Sequence, residues 1–178
     1  MRFSENRPLA LTVLALVIVA ALILGGGGGL LKKRAALEAQ FDAPAESIGA
    51  ELREMRSNAV ALLGIAEGRS DADTHIRTAL NEALSALDRA EDISDKYAAS
   101  LALDAAVESC YQNLTTLSLP DMTAKDARYA YKNFTSAQLR ISHDDYNQQA
   151  EAFNRELGGF PASLIAALRG VKPLNLFR

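Results

Sequence analysis

Residues 71–117 read DADTHIRTALNEALSALDRAEDISDKYAASLALDAAVESCYQNLTTL, with no glycine and no proline. Apolar side chains recur at three- and four-residue intervals: Ile76, Leu80, Leu84 and Leu87, then Tyr97, Leu101, Val107, Tyr111 and Leu114. That is the period of one helix face, and it predicts a helix over 71–117. The stripe thins around Ser94, so a break near Ser94 or Ser100 is the alternative there. Glycine stays absent through residue 157, and Pro120 is the single proline in between. Such Ala-rich tracts read as two long helices joined by a turn at 118–121. The later one is predicted over 123–157, opened by a capping-like Thr123-x-x-Asp126 and closed by Gly158-Gly159.

Working outward, Ile48, Leu52, Met55, Ala59, Leu62 and Leu63 predict a helix over 45–67. The Asp42-Ala43-Pro44 turn separates it from a first helix that runs through Gln40. Phe160-Pro161 starts a short amphipathic helix with Leu164, Ile165 and Leu168. Short connections force antiparallel neighbours. The predicted fold is therefore all-α: an N-terminal transmembrane helix continuing into an elongated antiparallel four-helix bundle. Composition agrees, since 32 of the 178 residues are alanine, the best helix former, and there is no tryptophan.

The membrane segment is read from residues 9–24, LALTVLALVIVAALIL, in which Thr12 is the only polar side chain. Five glycines and Leu30-Leu31 extend the uncharged stretch to 9–31. As a helix this is about 35 Å long, enough to span a hydrocarbon core of about 30 Å with modest tilt. Thr12 can bond to a carbonyl one turn earlier, and Pro8 stands where a helix tolerates proline. A cleavable signal peptide is the rival reading, with Arg2 and Arg7 as its positive region. Against it, no small-x-small site follows in a polar context, and the chain runs straight into Lys32-Lys33-Arg34. The organisation expected is a 1–8 tail, a 9–31 span and a helical domain over 32–178. Lys32, Lys33 and Arg34 after the span tilt the positive-inside balance narrowly toward a cytoplasmic domain, against Arg2, Arg7 and the amino terminus before it. The expected location is the bacterial cytoplasmic membrane, in a single pass.

From residue 35 onward, 14 Lys and Arg face 21 Asp and Glu, a net charge of −7. Such a body is a poor match for nucleic acid. One cysteine excludes an intramolecular disulfide framework and a Cys-based zinc cluster. No phosphate-binding or dinucleotide fingerprint is present. His143-Asp144-Asp145 holds metal-ligating residue types, but adjacent helix positions point to different faces. Cys110 reads as a small core residue, and Glu82, Asp88, Glu91, Asp92 and Asp95 as a solvated acidic face. No cofactor, metal, catalytic residue or small-molecule substrate is expected.

Two dipeptides, Tyr146-Asn147 and Phe153-Asn154, stand seven residues apart on the last long helix. That spacing puts both aromatics on one face and both asparagines on the neighbouring face. A ring packed between helices, with an amide bonding across the seam or capping a neighbouring turn, is the structural reading; a partner-docking stripe is the functional one. Together with the following Phe160-Pro161, the Leu164-Ile165-Ala166 run and Phe177, the pattern resembles the LemA family of bacterial membrane proteins. The resemblance implies an N-terminal transmembrane helix, an antiparallel helical bundle and no established enzymatic activity. Its specific motif is confined to residues 146–177. The commoner family form has a basic, Leu-Pro-containing second helix, where this chain reads ELREMRSNAVALLGIAE over 51–67, so no partner contact is carried over to that helix.

These features predict a non-enzymatic, membrane-tethered bundle that scaffolds other proteins or associates with itself. The alternative is a sensor bundle binding a small ligand between its helices.

Overall fold

The computed structural model describes residues 7–178. Within α1 it leaves the side chains of residues 7, 9, 18 and 22–27 undescribed. The chain is all-α, with seven helices and no strand among the described residues: α1 (Arg7–Phe41), α2 (Ile48–Glu67), α3 (Thr74–Arg89), α4 (Ile93–Thr116), α5 (Asp121–Ser142), α6 (Tyr146–Gly158) and α7 (Ala162–Arg169).

The helices fall into two compact units. One comprises residues 40–147 with 175–178; the other comprises residues 7–39 with Gln148–Leu174. In the first, α2 packs on α3, α4 and α5, α3 packs on α4, and α4 on α5. Ile48, Leu52, Met55, Ala59, Leu62 and Leu63 are all buried, as their spacing on α2 predicts. They are joined by Leu80, Leu84, Leu103, Val107, Leu114 and Phe134. Arg140 on α5 ties to Glu51 and Glu54 on α2, each at 2.7 Å. Arg56 on α2 forks onto Asp88 of α3 at 2.5 and 2.8 Å. The Ser47 hydroxyl caps α2 by accepting the Ala50 N–H at 3.1 Å. Gly49 is required there, because a Cβ would stand 2.8 Å from the Phe41 carbonyl oxygen and 2.7 Å from an Asp42 carboxylate oxygen.

Two long helices of the sequence reading are corrected. The 71–117 helix is broken at 90–92, where Ala90 and Asp92 are both extended. Acidic residues explain the position: Asp92 and Asp95 are unfavourable near the carboxyl end of a helix and favourable in a first turn. Restarting at Ile93 also resets the phase, so Leu101 is exposed and Leu103 takes the core position. The 123–157 helix is broken at 143–145. His143 ends α5, and Asp144 accepts the Tyr146 N–H at 2.7 Å to start α6. The Thr123-x-x-Asp126 cap is not used either, because α5 already begins at Asp121, behind Pro120.

In the second unit α1 is helical throughout residues 7–39, and Thr12 does bond back to the Pro8 carbonyl at 2.9 Å. Among the described residues no helix is long and apolar enough to cross a membrane. Eight of the 23 positions of the expected 9–31 span (9, 18 and 22–27) lie outside the described side chains, and residues 1–6 of the expected tail lie outside the described residues.

Candidate functional site

The resemblance-bearing residues meet the chain at its last eight residues, which carry no regular secondary structure. In the first unit Tyr146, fully buried at the start of α6, sets its ring edge-on to Phe41 at 5.0 Å. Phe41 lies 5.9 Å from the Phe177 ring, which meets Tyr97 edge-on at 5.2 Å. Edge-to-face pairs of this kind satisfy the ring quadrupoles. The Lys96 ammonium stands 5.2 Å from the Phe41 ring centre. The Tyr146 hydroxyl donates to the Asn175 carbonyl at 2.9 Å. Next to it, Asn147 accepts the Phe177 N–H at 2.7 Å and donates to the Phe177 carbonyl at 2.8 Å.

The second unit repeats the device. Phe153 is fully buried, and Asn154 accepts the Leu174 N–H at 2.8 Å while donating to the Leu174 carbonyl at 2.9 Å. A backbone N–H can only donate and a carbonyl only accept, so each reciprocal pair settles which way the amide points. Val171, Leu174 and Phe177 are buried, whereas Lys172 and Pro173 are exposed.

The amides bond to an irregular segment, neither across a helix seam nor to a helix end. An amide that grips both groups of a residue reads backbone rather than side chain, and the buried rings supply the apolar selection.

Of the seven expected residues, Tyr146, Asn147 and Asn154 bond to this segment, each within its own unit, Phe177 belongs to it, and Phe153 is buried. Phe160 is exposed, and half-buried Pro161 precedes α7. Sequence reasoning missed Asp144, whose carboxylate accepts the Tyr146 N–H two residues on in an Asx-turn just before α6.

Elsewhere the chemistry is structural. Burial pushes the Cys110 thiol up to about 11, which keeps it protonated at neutral pH. Tyr131 stacks on Tyr111 at 4.0 Å and donates to Glu108; that bond is the main cause raising its hydroxyl to about 12. No cluster of metal-ligating side chains occurs among the described residues. A cavity of about 240 Å³ is lined by Arg53, Arg56, Lys96, Asp42 and Asp88. Two of its cations are paired, Arg56 with Asp88 and Lys96 with Asp42, and Arg53 donates to the Ala43 carbonyl at 3.0 Å. No known protein family, curated protein or solved structure matches the chain.

Proposed function

We propose that the protein is a non-enzymatic helical bundle anchored in the bacterial cytoplasmic membrane through residues 9–31, acting as a scaffold or interaction module of LemA type. The observation that carries this reading is the outward surface of α1. Leu11, Leu14, Leu16 and Val17 are all exposed on a helix that has no charged residue between Arg7 and Lys32. In water such a surface has no compensating partner; in hydrocarbon it is at its lowest free energy. The antiparallel four-helix arrangement belongs to the same proposal, supported by the contacts that α2 makes with α3, α4 and α5. An interaction module needs no tuned acid or nucleophile, which suits a protonated Cys110.

Alkaline carbonate extraction tests the anchor: the full chain stays with the membranes, and a chain lacking residues 9–31 is released. Release of the full chain would end this reading. Crosslinking in intact membranes tests the scaffold, with a stoichiometric partner or a homo-oligomer expected. Monomer alone would count against it.

The cavity beside Arg53 favours a second reading, a sensor for a small anion. At about 240 Å³ it is smaller than ligand pockets of about 300–1,000 Å³, so only a group of a few heavy atoms would fit. A saturable rise in melting temperature with such anions would support it.

A further inference from the structure

Helix α7 turns Ile165 and Ala166 inward. Its outward side carries Ser163, Leu164, Ala167 and Leu168, all exposed, and no charged residue. Phe160, immediately upstream, is 82% exposed, and Leu164 and Leu168 are 41% and 59% exposed. A surface helix normally presents its polar face to water; this one presents an apolar face, with large side chains every four residues.

Two further observations say what covers it. The first is height along α1. Within the same unit, the Lys33 ammonium pairs with the Glu156 carboxylate. Lys33 lies two residues, about 3 Å of helix, beyond Leu31, where the uncharged stretch ends. Phe160 follows Glu156 by four residues, which reach at most about 14 Å. Phe160 and the start of α7 are thus tethered near the level at which α1 would leave the hydrocarbon and enter the headgroups.

The second observation is charge. Residues 35–156 carry 21 acidic and 11 basic side chains, whereas 157–178 carry three basic ones and no acid. Arg169 and Lys172 are exposed at and beyond the end of α7. An apolar-faced helix that ends in Arg169 and is followed by Lys172, on a chain whose 35–156 stretch is acidic, complements an anionic lipid surface.

We propose that α7 is a second membrane contact. It lies in the bilayer interface with Phe160, Leu164 and Leu168 inserted at the headgroup–acyl boundary, and with Arg169 and Lys172 on anionic lipid headgroups. This inference rests on the reading of 9–31 as a membrane span. Its consequence is mechanical: a helix held by the bilayer at two points cannot swivel freely about α1.

The absence of tryptophan makes the test direct. Three full-length variants, Phe160→Trp, Leu16→Trp and Leu139→Trp, are reconstituted into vesicles of phosphatidylcholine and phosphatidylglycerol carrying brominated lipids. Leu139 is an exposed position on α5 and serves as the water reference. Expected are blue-shifted emission and strong quenching of Phe160→Trp by lipids brominated near the headgroup. Leu16→Trp is quenched best by lipids brominated near the chain end, and Leu139→Trp is not quenched. If Leu16→Trp is quenched while Phe160→Trp emits like Leu139→Trp, the α7 contact is refuted and the anchor stands. If Phe160→Trp is blue-shifted but bromine does not quench it, protein covers the face and the proposal is again refuted. If Leu16→Trp is unquenched at every depth, the span itself is wrong and this inference falls with it.

Discussion

Asn147 and Phe177 exchange two hydrogen bonds, one side-chain amide satisfying both the N–H and the carbonyl of a single residue 30 positions away. The Phe177 ring, facing Phe41 and Tyr97, places those backbone groups at the amide. An irregular segment is thereby held without a helix or a strand of its own. Its polar groups would otherwise need water in a place where Phe177 is buried.

Replacing Asn147 by Ala removes both bonds and should cost about 2 kcal/mol, at about 1 kcal/mol for each net hydrogen bond. Hydrogen exchange at the Phe177 amide should accelerate in parallel. Asn147→Asp is expected to be no better at neutral pH, because a carboxylate accepts the N–H but repels the carbonyl. Wild-type protection of the Phe177 amide in either variant would show that the pair contributes nothing.

Gly49→Ala tests the close approach of α2 to the end of α1. The added methyl meets the Phe41 carbonyl oxygen at 2.8 Å, a backbone atom that cannot rotate away. Overpacking of this kind costs about 2–3 kcal/mol. Gly64→Ala, at a position with nothing within 4 Å of the new carbon, should be neutral or stabilising by comparison. Equal melting temperatures for the two variants would contradict this account.

The start of α6 depends on Asp144. Asp144→Ala removes the Asx-turn bond to the Tyr146 N–H and should lower stability by about 1 kcal/mol, the net worth of one hydrogen bond, and Asp144→Asn should recover most of it. The two signals that end α5 and begin α6, His143 and Asp144, were visible as residues. Their neighbours share the same polar character, and nothing local says that the chain turns there.

Cys110 gives a pH-dependent signature. Burial holds its thiol near 11 in the folded chain, above the ordinary value of 9.0. Above pH 9 the unfolded chain therefore binds fewer protons than the folded one, and the stability slope with pH is negative. The contribution is intact below about pH 9 and is lost as pH rises toward 11. Denaturation midpoints across that window should fall in the wild type and fall less in Cys110→Ala. At pH 8 a thiol reagent should label Cys110 only after denaturant is added; fast labelling of the native chain would show that the thiol is not held in the core.

Helix content and the inward face of α2 were legible from residue spacing alone. Ile48, Leu52, Met55, Ala59, Leu62 and Leu63 repeat with the helical period and have no competing phase. Over 93–116 the spacing places Val107 and Leu114 correctly in the core and fails at Leu101. A three-residue interruption at 90–92 resets the wheel, so Leu101 and Leu103 exchange roles although both are leucines in an unbroken helical pattern. The Tyr146-Asn147 and Phe153-Asn154 pairs announced themselves by composition and interval, but not what they would grip.

Residue order settles that the chain is helical, where proline and glycine stop the helices, and which charges crowd together, because those are properties of neighbours along the chain; the breaks at 90–92 and 143–145 carry neither residue. It leaves open what an amide on α6 bonds to, since the apolar interval Val171, Leu174, Phe177 does not say that the backbone of Leu174 and Phe177 meets Asn154 and Asn147. Those pairings join residues 20 and 30 positions apart and arise from packing. The Asn147–Phe177 pair exists only once Phe41 and Tyr97 have met the Phe177 ring, and a contact made by folding cannot be read before the fold.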